Sequence, residues 1–302
     1  MPIHLPAITR RRFLSGTLAT GAGLLLPNRL LAGDTKIDVN RWTLLADIHV
    51  WEHRDRTHEG VNPAANFDEV RRRILAAKIR TAGVIVAGDC AFLYGEKADY
   101  AVLADVVRPY REAGVPLHMA LGNHDNRENF FEAFPEAKLS KNKLSDFGKH
   151  VSIVKSPYAN FFLVDSLIKT YDTPGRLGKP QLQWLAKALD ANADKPAIVV
   201  MHHDPHHRDT TGLLDTEALY ELILPRKQVK ACVFGHTHQW SIDKIEGLHL
   251  INLPTLAWIF DKTQPVGWVD ARLRPDGMLL TLNALDRKHP AHGQINDMVW
   301  RT

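Results

Sequence analysis

Two things are missing from this 302-residue chain: a long apolar run, and any surplus of charge beyond its first 32 residues. Without an uninterrupted run of about twenty apolar residues there is no comfortable membrane span. The formal charge of +4 is carried entirely by Arg10, Arg11, Arg12 and Arg29, in a segment that contains no acid. The remainder is electrically balanced, which argues against a broad basic face for nucleic acid. Cysteine is scarce too. Only Cys90 and Cys232 occur, each at or near the end of an apolar run, so thiolate clusters and disulfide scaffolds are excluded. Two buried free thiols are expected over a single bridge. No internal repeat, low-complexity tract or linker divides the chain. Its 45% hydrophobic content suits one large domain with an ample core.

The first segment reads TRRRFLSGTLATGAGLLLPNRLLAG from Thr9. A basic cluster, a short Gly/Ala-rich apolar run and a small-residue end have the layout of an export signal. The Thr9–Leu14 stretch resembles a twin-arginine signal, which implies the Tat machinery as a partner and a periplasmic or extracellular location. Cleavage is expected after Ala32, although Leu30 replaces the usual small residue at minus three. With no cysteine near the cut, a lipoprotein anchor is not expected. Residues 1–32 are therefore taken as signal peptide and 33–302 as the catalytic domain.

Beyond it, strand-like runs alternate with helical patterns. The strands are WTLLADIH, GVIVAGD, VPLHMALGN, NFFLVDS, AIVVMHH and KACVFGHTH. Periodicity predicts helices over 66–81, 99–113, 180–193 and 215–224. From about residue 241 the texture changes to hairpins, turning at Glu246-Gly247 and Asp276-Gly277. The fold class is α/β, with helices covering sheets.

Five of those strands end in metal-ligand chemistry: Asp47 and His49, Asp89, Asn123 and His124, His202 and His203, His236 and His238. Active sites in such sheets gather beyond the carboxyl ends of the strands. Carboxylate, imidazole and one amide form a mixed oxygen and nitrogen set that suits Mn, Fe, Zn or Co better than Ca. Seven such side chains serve two ions if one carboxylate, naturally Asp89, bridges them.

The ordered set ADIH, AGDC, LGNHD, MHHD and FGHTH resembles the calcineurin-like metallophosphoesterase superfamily over about residues 40–285. The resemblance implies a four-layer αββα sandwich, two mixed sheets flanked by helices, with a dinuclear centre at the strand ends. It implies Asp47, His49, Asp89 and His238 around one ion, and Asp89, Asn123, His202 and His236 around the other. His202 is preferred over His203 because it follows the strand directly. His124 becomes the acid or electrostatic partner of the transition state, oriented by Asp125, although Asp125 could instead brace the Asn123 turn. The implied reaction is hydrolysis of a small phosphate ester by a metal-bound hydroxide. The ending GHTHQW…IEGLHLINLPTLAW is similar to the branch with bacterial cyclic nucleotide phosphodiesterases, which favours a phosphodiester. Purple acid phosphatases fit less well, since Phe92 stands where their tyrosine ligand falls. A phosphomonoesterase with the same site, and a non-catalytic metal-dependent binding protein, stay open as alternatives.

Arg127, His53 and His206 are the candidate substrate contacts, with Arg54, Arg56, His58 and His207 beside them; residues 136–150 form a polar stretch that could act as a lid. His118 is expected in the core, and His150, His249, His289 and His292 at the surface. Trp258, Phe260, Trp268 and Trp300 are expected to pack in the core and hairpins rather than form a stacking platform.

Overall fold

A computed structural model describes residues 3–5, 36–135, 148–206 and 210–302. The twin-arginine stretch, the cleavage point at Ala32, residues 136–147 of the polar stretch and His207 lie outside the described residues. The β-branched and apolar runs form a first sheet from β1 (Ile3–Leu5), β2 (Lys36–Leu45), β3 (Ile79–Ala87), β4 (Leu117–Ala120), β11 (Gly267–Arg274), β12 (Gly277–Ala284) and β13 (Ile295–Val299). Its order is β1-β4-β3-β2-β11-β12-β13. A second sheet takes β5 (Ser152–Lys155), β6 (Asn160–Leu163), β7 (Ala197–Val200), β8 (Val229–Phe234), β9 (Ser241–Ile245) and β10 (Leu248–Asn252), in the order β5-β6-β7-β8-β10-β9.

In both sheets the middle is parallel and the flanks antiparallel. Parallel neighbours need crossovers. Helices supply four of the five: α1 (Pro63–Leu75), α2 (Lys97–Glu112), α4 (Lys179–Asp190) and α5 (Thr216–Ile223), with a short α3 (Arg127–Ala133) after β4; the connection from β8 to β10 carries β9 instead.

Side-chain alternation then builds the layers. Trp42, Leu44, Ile85 and Ala87 point from the first sheet onto Phe161, Leu163, Ile198 and Val233 of the second. Leu45, Val84 and Val86 point the other way, onto Phe67, Val70, Leu103 and Val107 of α1 and α2. Phe162, Val199 and Phe234 meet Leu185, Leu189, Leu219 and Ile223 of α4 and α5. The result is the αββα sandwich of two mixed sheets.

Three local differences from the sequence reading have physical causes. Helix α1 starts at Pro63, three residues early, because the Asn62 side chain caps it (accepting from Ala65 N at 2.9 Å) and proline suits the first turn. It ends at Leu75 because Ile79–Thr81 pair with Lys36–Asp38. The β9–β10 hairpin does turn at Glu246 and Gly247, both at positive φ, the geometry that two-residue hairpins prefer. The β11–β12 turn falls one residue early, on Pro275 and Asp276.

Cys90 and Cys232 are free and buried. His118 is buried, as expected. His150 and His249 are not surface residues; each is 1% exposed. No helix among the described residues is long and apolar enough to cross a membrane. Strand β1 precedes the expected cleavage point, so cleavage after Ala32 would uncover the edge of β4 it pairs with.

Candidate metal centre

The loops after β2 and β3 run on beside each other past the strands: Asp47 N donates to Gly88 O, and His49 N to Asp89 O. This brings Asp47, His49 and Asp89 together at one end of the first sheet. The loop after β4 adds Asn123 and His124. The second sheet contributes His202 and His203 after β7, and His236 and His238 after β8.

Asp47, His49, Asp89, His236 and His238 all adopt positive φ. For non-glycine residues this conformation costs about 1–3 kcal/mol each, and it persists only where surrounding structure enforces it. Glycines make room for the side chains. A Cβ on Gly122 would stand 2.1 Å from Asp89 Oδ1, and one on Gly235 2.4 Å from Asp47 Oδ2.

Asp89 Oδ2 lies between two groups. On one side are His49 Nε2 at 3.6 Å and, next to it, His238 Nε2, 3.2 Å from His49 Nε2 and 3.5 Å from Asp47 Oδ1. On the other side His202 Nε2 is 3.3 Å from Asp89 Oδ2, 3.1 Å from Asn123 Oδ1 and 3.2 Å from His236 Nδ1. The other oxygen, Oδ1, accepts the His124 backbone N–H at 2.9 Å. The structure thus brings all seven predicted side chains together at one place; Asp47, His49 and His238 form one close group, and Asp47, Asp89 and His202 another. His202, not His203, reaches Asp89 and Asn123. His203 is held through Nδ1 by Ser166 Oγ at 2.7 Å, yet stays near His202 and His236.

Two facing pairs of ring nitrogens at 3.2 Å make little sense without a cation or proton between them. For three of the four rings the outer nitrogen decides which, while His49 Nδ1 has no hydrogen-bond partner among the described residues. His202 Nδ1 donates to Ala87 O, His238 Nδ1 to Trp258 O and His236 Nε2 to Thr211 O. These bonds leave the inner nitrogens as lone-pair donors, the usual arrangement of metal-bound imidazoles. Burial lowers the His49 pKa well below its ordinary value, and lowers His238 to about 4 and His236 to about 3. They are neutral near pH 7, as ligation requires. His202 differs: burial lowers its pKa, but Asp89 and Asp47 outweigh that and raise it to about 9. Asp89 is correspondingly lowered, against burial, by His202 and His124. Asp47 is raised to about 8, chiefly by burial. A buried carboxylate forced to hold a proton, beside convergent imidazoles, is the chemistry of a cation site. The residues fit two divalent ions.

His124 is 18% exposed in its side chain, with Nε2 4.0 Å from Asp89 Oδ2. Its orientation does not come from Asp125. Nδ1 donates to Leu93 O at 2.8 Å. The Asp125 carboxylate is used up elsewhere, accepting from Cys90 N, Ala91 N, Gly122 N and the Tyr100 hydroxyl. It braces the loops after β3 and β4 against helix α2.

The candidate substrate contacts also sit elsewhere. Arg127 is locked on Asp165 through two 2.9 Å hydrogen bonds. His53 leans on Trp51 and lies 3.5 Å from Glu52, and His206 pairs with Asp204. Arg54 bonds Asp68, and His58 packs on Trp258 and Phe92. The cavity over the centre, about 420 Å³, is lined instead by Thr173, Thr211, Thr237, Gln239, Trp258 and Phe260 beside Asp89, Asn123, His124, His236 and His238. Among the described residues no lysine or arginine lines it. Trp268 and Trp300 are packed as expected. Trp258 is buried but walls the centre, its ring 4.5 Å from that of His49. Phe260 does not pack in the core: it is 72% exposed. Sequence periodicity could not find these rim residues, because they lie on irregular loops.

Residues 41–240 match the family model described as calcineurin-like phosphoesterase. The chain is similar to the 3′,5′-cyclic adenosine monophosphate phosphodiesterase CpdA of Haemophilus influenzae, with 25% identity over 78% of this chain and 86% of the relative. The Pseudomonas aeruginosa CpdA is 27% identical over 85% of this chain and 90% of its own length. Among solved structures, a dimetal phosphatase from Danio rerio superposes with a TM-score of 0.69 at 15% identity, over 87% of this chain and 99% of that one; this likeness concerns the fold.

Proposed function

We propose, from the premise that the chain belongs to the calcineurin-like phosphoesterase family, that it is a dinuclear phosphodiesterase acting on a small diester outside the cytoplasm. The observation that supports the reading is the position of Asp89 Oδ2 between His49 Nε2 and His202 Nε2, at 3.6 and 3.3 Å, each beside further candidate ligands. Asp47, His49, Asp89 and His238 would hold one ion, and Asp89, Asn123, His202 and His236 the other. Mn, Fe and Zn all suit this donor set. When bound, the ions supply Lewis acidity, easing deprotonation of water near neutral pH and offsetting charge on the phosphoryl oxygens.

The chain's own residues do the rest. Ala87, Thr211 and Trp258 carbonyls fix the imidazole tautomers, so the donor set is preorganised. The Leu93 carbonyl turns His124 so that Nε2 faces the cavity, where the ring, in its imidazolium form, gives a hydrogen bond or proton to the leaving oxygen. A diester is favoured over a monoester on two grounds. Curated relatives include cyclic nucleotide phosphodiesterases, and among the described residues the rim offers no lysine or arginine for the second charge of a monoester. Residues 1–32 are read as a twin-arginine leader that delivers the folded protein through the Tat machinery, with no lasting membrane anchor.

The test strips the purified protein of metal, reloads it separately with Mn, Fe or Zn, and compares bis(4-nitrophenyl) phosphate with 4-nitrophenyl phosphate. Faster metal-dependent diester cleavage is expected. Faster monoester cleavage would move the protein to the phosphatase side, and no turnover of either would favour a binding role. N-terminal sequencing of the exported protein, expected to begin near Gly33, checks the leader.

A further inference from the structure

Solitary exposed apolar side chains are ordinary on protein surfaces, and exposure alone would say nothing of Phe260. Its placement does. The ring lies nearly parallel to the His238 imidazole, 23° between planes and 4.8 Å between centroids, at the rim of the cavity. One face is therefore seated on a ligand side chain, itself fixed by the Trp258 carbonyl. The rest of the ring is open to solvent. A second relationship gives it a direction. The rings of His124, His49 and His238 follow one another at 5.0 and 5.2 Å, and Phe260 continues the series beyond His238. In this series of ring contacts His124 and Phe260 are the outermost members, and both line the cavity. Beside His124 lies the exposed pair Tyr94 and Tyr171, the latter 5.9 Å from it.

We propose that Phe260 is a specificity-determining residue that stacks a planar aromatic group on the arm of the diester that stays bonded to phosphorus. This rests on the phosphodiesterase reading, in which His124 serves the leaving oxygen. The departing arm then lies toward His124, and the retained arm toward Phe260. Among the described residues no lysine or arginine lines the rim, and the uncharged aromatic face of Phe260 favours a planar ring over a short alkyl chain. A nucleobase has the right shape and polarity. Water attacks phosphorus and the bond to the leaving oxygen breaks; the products are the retained-arm phosphomonoester and the free alcohol or phenol.

The experiment compares two esters with the same leaving group, the 4-nitrophenyl diester of thymidine 5′-phosphate and ethyl 4-nitrophenyl phosphate, on the metal-loaded full chain. Wild type should favour the thymidine ester in kcat/KM by about tenfold, the order of one base-on-aromatic stack. Phe260→Leu should bring that ratio close to one, through a loss on the thymidine ester about tenfold larger than any loss on the ethyl ester. Phe260→Trp should keep the preference. A ratio unaltered by Phe260→Leu, or an equal loss on both esters, overturns the proposal. If wild type cleaves neither ester, the phosphodiesterase reading fails by itself. Binding of thymidine 5′-phosphate and ethyl phosphate, followed by tryptophan fluorescence, then decides the stacking question: tighter binding of the nucleotide that is lost in Phe260→Leu supports it, and equal binding overturns it.

Discussion

The carbonyl of Leu93 holds Nδ1 of His124 at 2.8 Å, leaving Nε2 as the nitrogen that faces the cavity. A backbone acceptor cannot be titrated away, so the ring keeps one orientation across the working pH range. His124→Ala should lower kcat by about 10² to 10⁴, the usual contribution of a positioned acid. Metal content by elemental analysis should stay at the wild-type level; near-wild-type turnover would remove this role.

Asp89 is the group both ligand sets share. Asp89→Ala should lose at least one of the two ions, read by elemental analysis after gel filtration. Full occupancy of both would show that Oδ2 is not a bridge.

For Asp125 the expected loss is stability. Its truncation to alanine leaves three buried N–H groups and the Tyr100 hydroxyl without their acceptor. Asp125→Ala should cost about 3 kcal/mol or more in urea unfolding. Tyr100→Phe, which removes one of those bonds, should cost about 1 kcal/mol. Equal small losses would mean that the carboxylate is not a brace.

Gly122 cannot carry a side chain without displacing Asp89, whose Oδ1 would sit 2.1 Å from the new Cβ. Gly122→Ala should reduce turnover by about 10²-fold, as misplacement by an ångström does, with weaker metal retention. A fully active alanine variant would show that Asp89 has freedom the packing denies it.

His150 provides the pH dependence. Burial lowers its pKa to about 4, and neither ring nitrogen has a hydrogen-bond partner. Between pH 6.5 and 4 the unfolded chain binds a proton that the folded one refuses, so stability falls as pH drops through this window. The full effect is about 3 kcal/mol. His150→Phe, stacked on Phe131 where the imidazole now lies, should flatten the curve below pH 6.5 and leave it unchanged above pH 7. A parallel shift of both curves would locate the acid sensitivity elsewhere.

Much of this was legible in the sequence because its signals are periodic or local. Apolar runs such as GVIVAGD mark strands, and the polar pairs that end them mark the loops where ligands gather. What could not be read depends on contacts made across the fold. The edge strands β5 and β13 lack an apolar pattern, since β13 is largely exposed. Arg127 looked free for substrate, but its partner Asp165 is 38 residues away. Asp125 follows His124 in sequence yet faces the loop of Cys90 and Ala91, and the true partner of His124 is a carbonyl, which no residue type announces. Phe260 lies in a stretch rich in aromatics where packing was the natural expectation; only its seat on His238 separates it from Trp268 and Trp300.

The ligands are drawn from both sheets, Asp47, His49, Asp89 and Asn123 from one and His202, His236 and His238 from the other. Neither half of the chain holds a complete set for either ion. During folding, each sheet can form around its own helices, but tight metal capture must wait until the two faces have docked. Metal uptake would then report that docking is complete, and chains refolded with a chelator present would pack their two sheets and bind metal only once the chelator is removed.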